Sequence, residues 1–370
     1  MGFLDFVFYG FITVVIIQVI FYLFLFGRFS FLKQKNSTPK SLAVSVIICA
    51  KNEAENLKTF LPSIINQDYK NFEIVLINDA SSDSTLDVIE HFANSHNIIK
   101  VVNVKSIEAF WGNKKYALTL GIKAAKNDYL LFTDADCKPV SKHWIQDMTA
   151  HFDNKKSIVL GYGAYTKIKK SFLNKLIRFE TFITATTYFS FAKMGLPYMG
   201  VGRNLAYTKK AFFDANGFIN HIKIRSGDDD LFINQIATSQ NTAISFNKDS
   251  FTESIPKTTF KNWFKQKRRH ISTAKHYKMQ HKVLLTLLYV SSFLFWLFGL
   301  VLLIPLFNWE IVICLFLFRI AIQYLILGMV SKKLGETDLL IFLPFLELFL
   351  ISTQLTIFIN NLISKPNHWK

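Results

Sequence analysis

The chain has 370 residues, 51% of them hydrophobic and 38 of them Phe, with a formal net charge of +17; this length holds one sizeable soluble domain plus membrane segments. A basic chain attracts nucleic acid, anionic lipid or phosphorylated small molecules, and the first is set aside because no base-reading module accompanies the charge. Cys49, Cys137 and Cys314 are scattered, which excludes a disulfide framework or a cysteine metal cluster and fits a reducing cytoplasm.

Residues 3–26 (FLDFVFYGFITVVIIQVIFYLFLF) hold one acid, Asp5, and no base. About 20 apolar residues span a bilayer, so 1–27 reads as a transmembrane anchor. It lacks the basic start, short apolar core and small-residue cleavage site of a secretory signal. A polar linker containing Pro39 follows over 28–41.

From 42 to 258 the pattern becomes a β/α alternation. LAVSVIICA (42–50), FEIVLINDA (72–80), IIKVVNV (98–104) and DYLLFTDAD (128–136) read as strands, with helices predicted near 54–66, 84–94 and 113–125. Continuous apolar strands between helices imply a parallel sheet covered on both faces. Ligands of such sheets bind beyond the carboxyl ends of the strands. Polar residues mark those ends: Asn52 and Glu53, then Asn78, Asp79 and Asp83, then Asp134 and Asp136. A lone Asp-x-Asp is most often a solvated turn. Here it closes an apolar strand beside a second acidic strand end, and clustered acids repel unless a cation joins them. Mg2+ or Mn2+ takes oxygen ligands and links carboxylates to substrate phosphates.

Residues 259–282 mix basic residues with Phe260, Trp263, Phe264 and Ile271, the composition of an interfacial amphipathic segment facing membrane lipid. The membrane region 283–364 contains apolar runs at 283–304, 310–330 and 338–363, enough for two or three further spans. Arg28, Lys33, Lys35 and Lys40 follow the first run. Lys275, Lys278 and Lys282 precede the second, and Lys332 and Lys333 separate the third from the fourth, whereas the PLFNWE connector has no base. By the positive-inside rule the middle domain is cytoplasmic in a multi-pass protein of the inner (cytoplasmic) membrane, with the N-terminus outside. Pro344 and Glu347 interrupt the fourth run, and a crossing there leaves Lys365 and Lys370 on the wrong side; a re-entrant segment is the alternative. Arg319, inside the third run, either pairs with Glu347 or snorkels to an interface.

Seven stretches occur in order: VSVIICAKNEAENL, IVLINDASSDST, GNKKYALTLGI, FTDADC, GVGRNLAYTK, SGDDDLF and QKRRH. Together they resemble the family-two inverting glycosyltransferases in their membrane-integrated, synthase-like form. The resemblance implies an α/β domain of GT-A fold, Rossmann-like with a mostly parallel sheet, flanked by transmembrane helices. It implies hexosyl or N-acetylhexosaminyl transfer from a nucleotide-sugar donor, usually a UDP-sugar. On that reading Asp79 contacts the base and Lys114 faces the nucleotide, while Lys115 is left as a surface helix lysine. Asp134 lies near ribose and metal, and Asp136 binds Mg2+ or Mn2+ directly. The Gly-(Glu/Asp)-Asp pattern places the general base at Asp229, with Asp228 the alternative if the register slips; acids in a first helical turn also suit the helix dipole unaided. GVGRNLAYTK matches a loop at the donor sugar, with Arg203 toward a phosphate and Asn204 toward a sugar hydroxyl, or is a plain turn. Gln266 and Arg269 match a Gln-x-x-Arg-Trp motif whose planar guanidinium suits a diphosphate.

The final Trp of that motif is His270 here. In processive synthases that Trp stacks on the acceptor sugar, so the expectation is transfer to a lipid or lipid-linked glycan acceptor at the cytoplasmic face. The alternatives are a processive polysaccharide synthase, assembled with partner membrane proteins, and a non-catalytic scaffold carrying a degenerate domain. The full set of retained acids argues against the scaffold.

Overall fold

A computed structural model of the chain describes residues 2–34, 38–105, 114–224 and 226–364. The polypeptide divides into an α/β unit, chiefly Gln34–Lys169 with Gly195–Thr258, and a helical unit built from Met1–Lys33, Lys170–Met194 and Thr259–Asn367.

In the α/β unit, strands β1 (Val44–Ala50), β2 (Phe72–Asp79), β3 (Ile99–Val104) and β4 (Tyr129–Asp134) follow one another with helices Ala54–Ile65, Thr85–Ser95 and Lys114–Ala124 between them. Short strands complete the unit: β5 (Cys137–Pro139), β6 (Ile158–Leu160), β7 (Gly163–Tyr165), β8 (Leu205–Thr208), β9 (Thr242–Ile244) and β10 (Thr252–Ser254). The main sheet has the order β3-β2-β1-β4-β8-β6-β9, and a second sheet the order β5-β10-β7. The predicted strands and helices are found within two residues of their expected bounds, and β1 to β4 run parallel. β8 enters antiparallel to β4.

Every residue of β1 except Cys49 is buried, as is every residue of β2 except Phe72, which is why these strands carry apolar runs without alternation. Register places the chemistry. Ala50 lies opposite Asn78, and Cys49 opposite Asp134, so the acidic ends of β2 and β4 flank the end of β1 on one rim. Helix Lys114–Ala124 packs against β2 through Gly121, where an added Cβ would fall 2.2 Å from Ile77 Cδ1.

Among the described residues of the helical unit, four helices are long and apolar enough to cross a membrane: Phe3–Ser30, Met279–Leu303, Trp309–Leu334 and Thr337–Ile363. The first runs antiparallel to the second. Gln18 Nε2 donates to Ser291 Oγ (2.6 Å), Phe11 stacks on Phe295 (5.8 Å), and Phe8 meets Phe307. Its far end, at Ser30, bonds Ile326 O. The expected pairing of Arg319 is present: Nη2 lies 2.6 Å from Glu347 Oε1 and Nη1 lies 3.0 Å from Oε2. Gln323 and Gln18 accept from the same guanidinium at 2.7 and 2.8 Å.

Contacts also fix the direction of the last helix. Glu347 accepts from Trp296 Nε1, Ile351 O from the Tyr289 hydroxyl, and Asn360 O, Asn361 Oδ1 and Ser364 O from Arg268. As residue numbers climb from 347 to 364, those of the partners fall from 296 to 268. The helix therefore runs back along Met279–Leu303 toward the end where that helix begins. The segment starts at that same end, where Arg178 of the Phe172–Lys193 helix bonds Glu336 and Asp338.

Candidate active site

The acidic rim is built by backbone first. β4 ends at Asp134, and Asp136 sits in the two-residue turn before β5 rather than on the strand itself. The oxygens of Asp134 and Asp136 and the Cys137 sulfur lie within 4.8 Å of one another. Burial, then the negative charges of Asp134 and Glu53, raise the Asp136 carboxyl above its usual range, and Arg203 only partly offsets them. Cys137 is buried, kept protonated by that burial, and bonded to Ser254 Oγ at 2.8 Å. The donors left are two carboxylates, which fit a hard divalent cation such as Mg2+ or Mn2+.

Lys114 joins this group to the second set of acids. Its Nζ lies 2.8 Å from Asp134 Oδ1 and 3.3 Å from Asp228 Oδ2. Burial opposes its charge, but Asp134 and Asp228 outweigh it and hold the amine protonated. Asp79 is 4% exposed at the end of β2; burial raises its carboxyl, while Lys51, 3.9 Å away, and Lys114 pull it down. Asp83 ties two strand ends together by accepting from Thr85 and from Ala54 N.

The acidic run follows Gly227, whose φ of +90° suits glycine. Asp229 caps helix Asp230–Ile236 and accepts from Asp230 N and from Gly202 N, both at 2.7 Å. Burial, then Asp228 and Asp230, push its carboxyl up to about 7. Such a group takes up a proton near neutral pH, as a general base must. Asp230 is buried and bonds Leu231 N. Between Lys114, Asp134, Asp228 and Asp229 lies a cavity of about 20 Å3, floored by Ile47, Leu118, Phe132 and Tyr207. The ionisable groups thus rest on an apolar base, where their mutual fields are strong.

Two expectations change. Asn204 is fully buried. Its Nδ2 donates to Tyr162 O and Ser250 O, and its Oδ1 accepts from Trp144 Nε1. Its amide holds the loop together and has no face for a sugar hydroxyl. Lys115 is 1% exposed rather than on the surface. Its sequence signal was its phase: it stands three residues before Leu118 and seven before Ile122, on the buried stripe of its helix. Arg203 lies over the Tyr165 ring at 4.3 Å, within the electrostatic reach of Asp136 and Asp134. Gln266, Arg269 and His270 lie on helix Phe260–Ile271 of the helical unit, with His270 exposed.

Comparison with known proteins gives the same direction. Residues 45–214 match the family described as Glycosyl transferase family 2. A cholesterol galactosyltransferase of Borreliella burgdorferi is 36% identical over 93 residues, 25% of each chain. A poly-beta-1,6-N-acetyl-D-glucosamine synthase of Staphylococcus epidermidis is 31% identical over 125 residues, 33% of this chain and 29% of that protein. An uncharacterized glycosyltransferase of Haemophilus influenzae is 33% identical over 127 residues, 34% of this chain and 37% of that one. The matches to these relatives thus span between a quarter and just over a third of their length. Among solved structures, a mannosyltransferase from Pyrobaculum calidifontis in complex with GDP-Man and Mn2+ superimposes with a TM-score of 0.59 at 17% identity, over 90% of this chain and 98% of that one. Sheet order, motif order and family match agree: the α/β unit has the GT-A fold, and its residues 45–214 form a glycosyl transferase family 2 domain.

Proposed function

We propose that the chain is a membrane-anchored inverting glycosyltransferase that moves a sugar from a nucleotide diphosphate sugar, a UDP-sugar in the first instance, to a lipid or lipid-linked acceptor. The observation that carries this reading is Lys114, whose ammonium links Asp134 of the Asp-x-Asp turn to Asp228 of the acidic run. Two carboxylate sets on one apolar floor supply what sugar transfer needs on opposite sides of an anomeric carbon. Asp134 and Asp136 would hold Mg2+ or Mn2+, which when bound offsets charge on the departing diphosphate. Asp79 at the rim would meet the nucleotide base, and Arg203 a phosphate oxygen. Asp229 accepts the proton of the attacking hydroxyl, and Asp228 steadies Lys114 beside it. Gln266 and Arg269 serve the diphosphate on this reading, and His270 replaces a stacking indole by a smaller polar ring. That exchange weakens the hold on a growing chain by about 0.5–1.5 kcal/mol, a small loss when the acceptor is held by its own lipid tail.

Three apolar helices cross the bilayer on this reading, and the fourth folds back to the basic side. The α/β unit faces the cytoplasm of the inner membrane, where nucleotide sugars are made. The test is purified protein with a panel of radiolabelled sugar nucleotides, Mn2+ and native lipid extract. A small, organic-extractable product is expected, and Asp136→Ala should abolish it while the protein stays folded. Full activity in excess chelator, or a long water-soluble polysaccharide as product, would overturn the reading.

A further inference from the structure

Lys115 is a buried cation that the scheme above does not use. Its Nζ donates to the carbonyl oxygens of His221 (2.8 Å), Ile224 (2.9 Å) and Ser226 (2.9 Å). An ammonium carries three donors and no acceptor, and it is buried only where partners replace its water. These carbonyls belong to residues just ahead of Gly227 and Asp228–Asp230. Residues 222–224 and 226–229 lie outside helix and strand, so no ladder holds this stretch. Beyond it the chain has little freedom: a Cβ on Gly227 would fall 2.5 Å from Leu231 Cδ1, and the Asp230–Ile236 helix begins at once.

Consecutive lysines therefore grip the acidic run in two ways. Lys114 takes the Asp228 carboxylate, and Lys115 takes the main chain before it. Burial lowers the Lys115 amine to about 8, against the opposing pull of Asp228, Asp230 and Asp229, so it is still mostly charged at neutral pH and its field reaches all three carboxylates. A hydrophobic side chain would fill the same space without desolvating an amine, but it would offer the loop nothing to bind.

We propose that Lys115 is a positioning residue for sugar transfer, fixing the backbone ahead of Gly227 so that Asp229 meets the acceptor hydroxyl, and steadying the ionised run by its charge. This inference rests on the proposed glycosyl transfer. Among the described residues the titratable groups around the run include Asp228, Asp229, Asp230, Lys114, Lys115, Asp134, Cys49 and the Tyr207 hydroxyl.

The experiment compares wild type, Lys115→Met and Lys115→Arg in one detergent, with whichever of UDP-glucose, UDP-galactose, UDP-N-acetylglucosamine or GDP-mannose the wild type uses. UDP binding in Mn2+ and the thermal midpoint serve as controls. Lys115→Met should keep UDP binding and donor KM within about twofold and lose kcat by about 100-fold, the scale of a misplaced reacting group. Its acidic pH limb should move up by about half a unit or more, because a cation near the base is gone. Lys115→Arg should recover at least part of kcat and return the limb toward its wild-type position. A Lys115→Met enzyme with wild-type kcat overturns the proposal, as does a loss of kcat with an unmoved limb. If Lys115→Met does not fold, the limb of Lys115→Arg decides; unfolding of both overturns the proposal, since stability alone then explains the amine. Wild type that transfers nothing from the panel fails the proposed function instead, so the two failures are distinct.

Discussion

In the proposed transfer, Asp229 serves the fold and the chemistry in opposing senses. As a base it must be ionised, so with its carboxyl near 7 the rate should rise with pH through neutrality and fall below it. As a folded-state group its affinity for a proton is raised, so ionisation costs stability above about pH 7, and the cost fades as pH falls toward the ordinary carboxylate range. Asp229→Asn should therefore abolish transfer, retain UDP binding in Mn2+, and melt higher than wild type at pH 8 with a gain that shrinks by pH 5. If Asp228→Asn is the dead variant and Asp229→Asn is active, the roles are exchanged. The motifs brought Lys114 and Asp134 to one strand-end cluster because each sits at a fixed place beside a long element. Asn204 was not legible, because its partners Tyr162, Ser250 and Trp144 lie 42, 46 and 60 residues away and no local pattern announces a buried amide.

The helix Lys114–Ala124 carries both lysines, and its distance from the sheet sets where they reach. Gly121 lets it approach Ile77. Gly121→Ala should cost about 1–3 kcal/mol as overpacking and lower activity by displacing Lys114. Ile77→Val, which removes the Cδ1 that the new methyl would strike, should restore more than half of the lost stability in that background. Equal unfolding midpoints for Gly121→Ala and the double variant would show that the contact is not what limits the helix. β1 to β4 and their helices were readable because each is long enough to show a period or a continuous apolar run. β5, β6, β7, β9 and β10 have three residues apiece, too few for either signal. The Phe172–Lys193 helix escaped as well. It interrupts the α/β chain yet groups with the apolar helices, and its polar and apolar residues do not sort onto two clear faces.

For the whole molecule, the proposed topology makes a prediction about sidedness that charge asymmetry and the direction of the last helix share. On the proposed topology the α/β unit lies inside, and the backward run of the last helix returns Ser364 to the basic side. In a background lacking the native cysteines, Glu90→Cys and Ser364→Cys should label from the cytoplasmic side alone, and Leu306→Cys from outside alone. Labelling of Ser364→Cys from outside would make the last helix a crossing. The Arg319–Glu347 pair also bears on how the chain is made. On the proposed topology Glu347 leaves the ribosome 28 residues after Arg319, a delay of about 1–6 s at ribosomal speed. During that interval the third apolar helix would meet lipid carrying a charge that costs about 2.5–3.5 kcal/mol at mid-bilayer. Its Ile, Leu, Phe and Val residues each return about 0.3–0.6 kcal/mol, so it can insert before the partner arrives. Gln323 within that helix and Gln18, already threaded, can hold the guanidinium meanwhile. Arrival of Glu347 then closes the bundle, and a chain broken off before it leaves an intramembrane cation that quality-control proteases can find.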